Sequence, residues 1–124
     1  MINGKSIGVV ILNYNDAETT EILLKSISSY SLIDHIVVVD NLSTDYSFEH
    51  LKKWQDNRID VLKSDKNGGY SYGNNIGAFF LVKNYNVDIL FIVNPDVEFT
   101  ESFLQKIIED MERFSAKAAS GYMV

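Results

Sequence analysis

The 124-residue sequence contains no cysteine. That removes disulfides, thiolate zinc sites and thiol catalysis together, and it fits a reducing compartment. No apolar run approaches the ~20 residues that cross a bilayer as a helix. The first residues, Met1-Ile2-Asn3-Gly4-Lys5-Ser6, lack the apolar segment of a secretion signal. Basic residues are few, 11 against 17 acidic ones, for a net charge of −6. Nonspecific nucleic-acid binding is therefore not expected. An anionic phosphate would need a metal, a helix N-terminus or local basic groups. There is no P-loop, no G-x-S-x-G elbow and no G-x-G-x-x-G, and no glycine-rich turn follows the first apolar run. These absences argue against a nicotinamide or flavin enzyme and against an α/β-hydrolase. His35 and His50 stand away from any other metal-ligating cluster and read as surface or packing residues. Lys52, Lys53 and Arg58 read as a solvated face.

What is present is ordinary for a globular protein, 46% hydrophobic and 23% charged. The length predicts a single domain, 1–124, with a real core. The expectation is a soluble cytoplasmic domain. Four apolar, largely β-branched runs read as strands: Ile7–Leu12, Ile36–Val39, a weaker Ile59–Lys63, and Ile89–Val93. The first, second and fourth are expected to be buried. Helical patterns lie between them. One is capped by Asn15 or Asp16 and runs to about Ser29 on Leu23, Leu24 and Ile27. A short one carries Phe48, Leu51 and Trp54. A third runs from about Tyr72 to Tyr85 and is expected to bury Ile76, Phe79, Phe80 and Val82. A last one, capped by Thr100, carries Phe103, Leu104, Ile107, Ile108, Met111 and Phe114. Strands alternating with helices predict an α/β, Rossmann-like, mostly parallel sheet with helices on both faces and right-handed crossovers. The segment Ala118–Val124 reads as the approach to a fifth strand, so the domain is expected to be truncated at its C-terminus. The rival is an ordinary frayed terminus.

Polar clusters follow three of the strands: Asn13-Tyr14-Asn15, Asp40-Asn41 with Ser43-Thr44-Asp45, and Asn94-Pro95-Asp96. In a parallel sheet they share the carboxyl edge, where open α/β sheets bind ligands. The only proline, Pro95, stops the fourth strand. An amide and a carboxylate are thereby left at its end, and a carboxylate there suits a hard divalent cation shared with phosphates. The alternative is that Asn94 and Asp96 shape a turn or cap the next helix. Asp40 suits a base or ribose, or else caps the following turn. Asn67-Gly68-Gly69 leads into a helix whose first N–H groups suit an anion. A plain turn with close packing at Gly73 and Gly77 would explain the same glycines.

Four segments in this order are similar to one family. They are Val9-Val10-Ile11-Leu12-Asn13-Tyr14-Asn15, Ile36-Val37-Val38-Val39-Asp40-Asn41-Leu42-Ser43-Thr44-Asp45, Asn67-Gly68-Gly69-Tyr70-Ser71-Tyr72-Gly73-Asn74-Asn75-Ile76-Gly77, and Asn94-Pro95-Asp96-Val97. Together they resemble the nucleotide-sugar-binding half of a family 2 glycosyltransferase of GT-A fold, over about Lys5 to Val124. The resemblance implies roles. Asn13, Tyr14 and Asn15 would line the nucleotide pocket, and Asp40 would meet a uracil or thymine base or its ribose. Asp45 would support that loop. Asn67, Gly68 and Gly69 would border the donor, with Asn74 nearby. Asn94 and Asp96 would stand at the D-x-D motif. An amide supplies no negative charge, so Mg²⁺ or Mn²⁺ on the diphosphate would rest mainly on Asp96. N-P-D versions occur in rhamnosyltransferase-like members, which suggests a UDP- or dTDP-sugar donor. The implied activity is inverting transfer of a sugar to a saccharide or lipid-linked acceptor in polysaccharide biosynthesis, at the cytoplasmic side of a membrane.

No Asp, Glu or His follows Glu112. The family's catalytic base would lie beyond this chain, which is then expected to bind nucleotide without transferring sugar. Self-association is expected through an apolar edge near Tyr122 to Val124. A non-catalytic nucleotide-sugar-binding module fits the same pocket. A receiver-type signalling domain fits poorly. It needs an acidic pair after strand one and a phosphoacceptor Asp ending strand three, where this chain has Asn13-Tyr14-Asn15 and Lys63-Ser64.

Overall fold

The computed structural model describes residues 1–113. The order is β1 (Ile7–Asn13), α1 (Ala17–Ile27), β2 (His35–Asp40), α2 (Ser47–Leu51, continued by a 3-10 turn, Lys52–Trp54), β3 (Ile59–Lys63), α3 (Tyr70–Tyr85), β4 (Ile89–Val93) and α4 (Glu101–Arg113). The four strands form one sheet in the order β3-β2-β1-β4, parallel throughout. Val9, Ile11, Ile36, Val38, Ile59 and Val61 point to one face, beneath Leu23, Leu24 and Ile27 of α1 and Leu104 and Ile108 of α4. Val10, Val37 and Val39 point to the other, under Leu81 of α3. β1 to β2 and β3 to β4 cross the sheet in opposite directions and put their helices on opposite faces, as a single handedness requires.

Two packing expectations change. β4 is one of the two edge strands among the described residues rather than a fully buried one. Ile89, Phe91 and Val93 pack on the α1–α4 face, but Leu90 and Ile92 are 37% and 52% exposed on the other. The reason is the seat of α3 over β1 and β2, which leaves that face of β4 open. Within α3 the inward residues are Gly73, Asn74, Gly77 and Leu81, while Phe79 is 77% exposed and Val82 is also exposed. At Gly73 and Gly77 the helix lies too near the sheet for large side chains, and it leaves room for Leu81 one turn further on. A Cβ on Gly77 would come within 2.6 Å of Val10 Cγ1 and 3.1 Å of Val39 Cγ2. Ile76 and Phe80 pack along its flank.

Thr100 caps α4 as expected, its Oγ1 accepting from the Phe103 amide at 3.1 Å. α1 is different. Asp16 takes the N-cap position without a side-chain cap, and the helix ends at Ile27 rather than Ser29. Arg58 is not part of a solvated face: its guanidinium donates to the carbonyls of Ser28, Tyr30 and Ile33, locking the α1–β2 turn. α2 is held to α1 by Glu21, which accepts from the Trp54 indole at 2.9 Å and meets His50 Nε2 at 2.6 Å. The indole bond first, and His50 after it, hold the Glu21 carboxyl below its usual range. Phe114, Ala118–Val124 and the apolar edge near Tyr122 lie outside the described residues. No helix among the described residues is long and apolar enough to cross a membrane.

Candidate functional site

Parallel register decides which polar residues meet. Asn13 ends β1 directly beside Asp40, which ends β2. Both are fully buried. Asn13 Nδ2 donates to Asp40 Oδ1 at 3.0 Å, and Thr20 Oγ1 of α1 donates to Asn13 Oδ1 at 2.7 Å. Ser43 completes the cluster: its N–H reaches Asp40 Oδ2 at 2.9 Å and its hydroxyl reaches Oδ1 at 2.6 Å. A buried carboxylate with three donors is well compensated. In this conformation Asp40, expected to meet a base or ribose, presents no accessible surface.

The loop after β1 is tied to the loop after β2. Asn15 has φ of 51°, a left-handed conformation that Asn tolerates. Its side chain donates to Thr44 Oγ1 at 3.0 Å and accepts from the Thr44 amide at 2.8 Å, while its own N–H reaches Ser43 Oγ at 2.9 Å. Asp45 accepts from the Ser47 amide at 2.8 Å at the start of α2, and this Ser47 bonding holds its carboxyl below the ordinary range. Tyr14 is exposed.

The glycine segment closes the edge from the other face. Buried Asn41 donates to Asn67 Oδ1 at 3.1 Å and to the Gly69 carbonyl at 3.4 Å. Gly69 has φ of 91°, which a side chain would strain. Gly68 has no room for a Cβ, which would strike the Tyr72 ring. Asn74, at the start of the second turn of α3, is 4% exposed, and neither amide atom has a hydrogen-bond partner. Tyr70, the first residue of α3, reaches the third cluster: its hydroxyl donates to Asn94 Oδ1 at 3.0 Å.

After β4, the Val97 amide bonds the Asn94 carbonyl at 3.1 Å, closing a turn around Pro95. Asp96 is exposed. It borders a groove of about 600 Å³ between α1 and residues 95–100, with Ile22, Ser26 and Tyr30 opposite. Among the described residues no group of three or more His, Asp or Glu side chains converges to enclose a cation. The single carboxylate of Asp96 is a sparse donor set that suits Mg²⁺ or Mn²⁺ when phosphates and waters complete the shell. The residues present therefore fit a cation shared with a ligand, and do not fit a protein-enclosed one.

The three clusters thus share the carboxyl edge. Asn13 joins Asp40, Asn15 joins the loop of Asp45, and Asn94 joins the glycine segment through Tyr70. Asp96 and Tyr14 make no such link. Sequence reasoning did not single out Thr20, and it named Asn41, Ser43 and Tyr70 only as members of the polar and glycine segments, without a role. Thr20 had a signal, a polar residue at the helical spacing of Leu23, Leu24 and Ile27. Tyr70 had none beyond its place beside the glycines.

The architecture is that of a doubly wound α/β domain with a polar carboxyl-edge site, the GT-A arrangement. The sequence profile described as Glycosyl transferase family 2 matches residues 8–122, and the chain belongs to that family. The low-salt glycan biosynthesis hexosyltransferase Agl10 of Haloferax volcanii is 29% identical over 102 residues, covering 82% of this chain and 31% of that protein. This chain thus spans about a third of that relative's length. Among solved structures, S. aureus TarS (residues 1–349) superposes with a TM-score of 0.70 at 17% identity, over 95% of this chain and 38% of that one. The mannosyltransferase PcManGT from Pyrobaculum calidifontis, solved with GDP-Man and Mn²⁺, gives 0.72 at 19% identity, over 86% of this chain and 32% of that one.

Proposed function

We propose that residues 1–124 form the donor-binding domain of an inverting glycosyltransferase, taking a nucleoside-diphosphate sugar at the carboxyl edge. The observation that supports this most is the joining of all three post-strand clusters along that one edge, in a chain of this family. In this reading Asn13, Tyr14, Asn15 and the Asp45 loop border the nucleoside. A ligand N–H or O–H displaces the Ser43 hydroxyl on Asp40 Oδ1. Asn67, Gly68, Gly69, Asn74 and Asn94 flank the diphosphate, and Asp96 holds the cation.

In the transfer, the acceptor hydroxyl oxygen bonds to the anomeric carbon as the bond from that carbon to the diphosphate oxygen breaks. The acceptor proton passes to a carboxylate base, and the nucleoside diphosphate leaves. A divalent cation, when bound, neutralises charge on the leaving diphosphate. This chain's own residues orient the donor and exclude water from its base. The base is proposed to come from outside them, so that the 124-residue chain binds donor without transferring sugar. The complex of PcManGT with GDP-Man and Mn²⁺ supports a sugar nucleotide with a cation as the ligand class. UDP, dTDP and GDP are the nucleotides to compare.

The test is calorimetric titration of UDP, dTDP and GDP into wild type and Asp96→Ala, each with Mn²⁺ and with EDTA. Wild type should bind one diphosphate more tightly with Mn²⁺, and Asp96→Ala should lose that gain while keeping its metal-free affinity. Equal affinities for both proteins in Mn²⁺ would remove Asp96 from the assignment.

A further inference from the structure

We infer that Tyr70 is a positioning residue whose hydroxyl, by holding the Asn94 amide oxygen, presents the Asn94 N–H groups to the diphosphate of a bound nucleotide. The inference rests on the reading of the carboxyl edge as a nucleoside-diphosphate site.

Both ends of the Tyr70–Asn94 bond are anchored. On one side, buried Asn41 holds Asn67 and the Gly69 carbonyl, so the backbone that starts Tyr70 is fixed from the end of β2. On the other, the Val97 amide fixes the Asn94 carbonyl in its turn. The phenol then spans from α3 to the end of β4 and donates to Oδ1 at 3.0 Å. Tyr70 is 57% exposed, so its hydroxyl lies at the surface of the carboxyl edge where a ligand can reach its Asn94 partner. An exposed Asn amide in water otherwise turns freely and offers either its oxygen or its N–H groups. Tyr70 removes that choice. One lone pair of the oxygen is engaged by the phenol, which fixes the amide's orientation and keeps its two N–H bonds turned away from Tyr70.

This alters the chemistry of the Asn94-Pro95-Asp96 turn. A carboxylate at position 94 would repel phosphate unless a cation lay between them. A neutral amide with its N–H groups held outward attracts phosphate oxygen with or without a cation. The turn then divides its work, with Asn94 contacting the anion directly and Asp96 acting through the metal. Tyr70 itself does not touch the ligand in this account.

The experiment is a double-mutant cycle on the full 124-residue chain, using Tyr70→Phe, Asn94→Ala and the double variant. The probe is whichever of UDP, dTDP and GDP wild type binds best, titrated with Mn²⁺ and again with EDTA, beside the parent nucleoside. Tyr70→Phe should lower diphosphate affinity about five- to tenfold, the worth of one ordinary hydrogen bond between neutral groups. It should do so in both Mn²⁺ and EDTA and leave nucleoside affinity unchanged. The double variant should be no weaker than Asn94→Ala alone. Tyr70→Phe binding like wild type, or losses that add in the double variant, would overturn the role of Tyr70 and leave the donor-site reading standing. Failure of wild type to bind any of the three diphosphates would overturn both.

Discussion

Asp40 is the residue on which most of the carboxyl edge converges. Its two oxygens accept from buried Asn13 Nδ2 and from the amide and hydroxyl of half-buried Ser43, at a position that is itself fully buried. Asp40→Ala should destabilise the domain by about 2–3 kcal/mol, because it strands the Asn13 and Ser43 donors without partners. A shift of the urea midpoint at constant slope measures this. The same variant should weaken nucleotide binding with and without metal, in contrast to Asp96→Ala. Asn13, Asp40 and Asn94 were legible in the sequence because each stands where an apolar run stops. Their partners were not. Whether Asn13 meets Asp40 depends on a parallel register that places the two strand ends side by side, and Tyr70 meets Asn94 only once α3 has been seated across the sheet.

At the scale of elements, α3 carries the sharpest lesson. Its apolar residues suggested a face of Ile76, Phe79, Phe80 and Val82, yet the face on the sheet is Gly73, Gly77 and Leu81. Close approach of helix and strand favours the smallest residues, so the apolar residues point away from the interface, while the close packing offered in the sequence by Gly73 and Gly77 is the one the helix uses. Two substitutions separate packing from propensity. Gly77→Ala brings a methyl against Val10, Val37 and Val39 at once, all in buried strands. It should cost about 1–3 kcal/mol through overpacking, more than the roughly 1 kcal/mol that alanine gains in a helix interior. Gly73→Ala meets only the half-buried Leu12 side chain, which can rotate away. It should be near neutral in the same denaturant titration. β4 illustrates the complementary limit. An apolar run of its length identifies a strand, but the run reads the same whether one face or both are covered. Position 92 is exposed because α3 sits over β1 and β2, a fact of the sheet order rather than of Ile89–Val93 itself.

The whole molecule is an acidic α/β domain that gathers its polar loops at one edge of one parallel sheet. The alternation of strands and helices made that architecture readable from the sequence, since parallel strands demand crossovers and crossovers demand covered faces. The opposite edge of the sheet has a different character: there His35 stacks on Tyr85, and Tyr85 donates to Asp60 at 2.7 Å, a bond that raises the Tyr85 hydroxyl above its usual range. Tyr85 and Asp60 serve one another there, with only His35 Nδ1 left unpartnered among these three described residues, whereas the carboxyl edge has donors to spare at Asn74 and Asn94. The contrast gives the most direct test of the central claim, that a nucleoside diphosphate binds at the carboxyl edge. In two-dimensional amide NMR of the labelled chain, titrated with UDP, dTDP and GDP in Mg²⁺, the account predicts perturbations at residues 13–15, 41–45, 67–74, 94 and 96, with His35, Asp60 and Tyr85 unmoved. Perturbations centred on His35, Asp60 and Tyr85, or an unchanged spectrum with all three diphosphates, would contradict it.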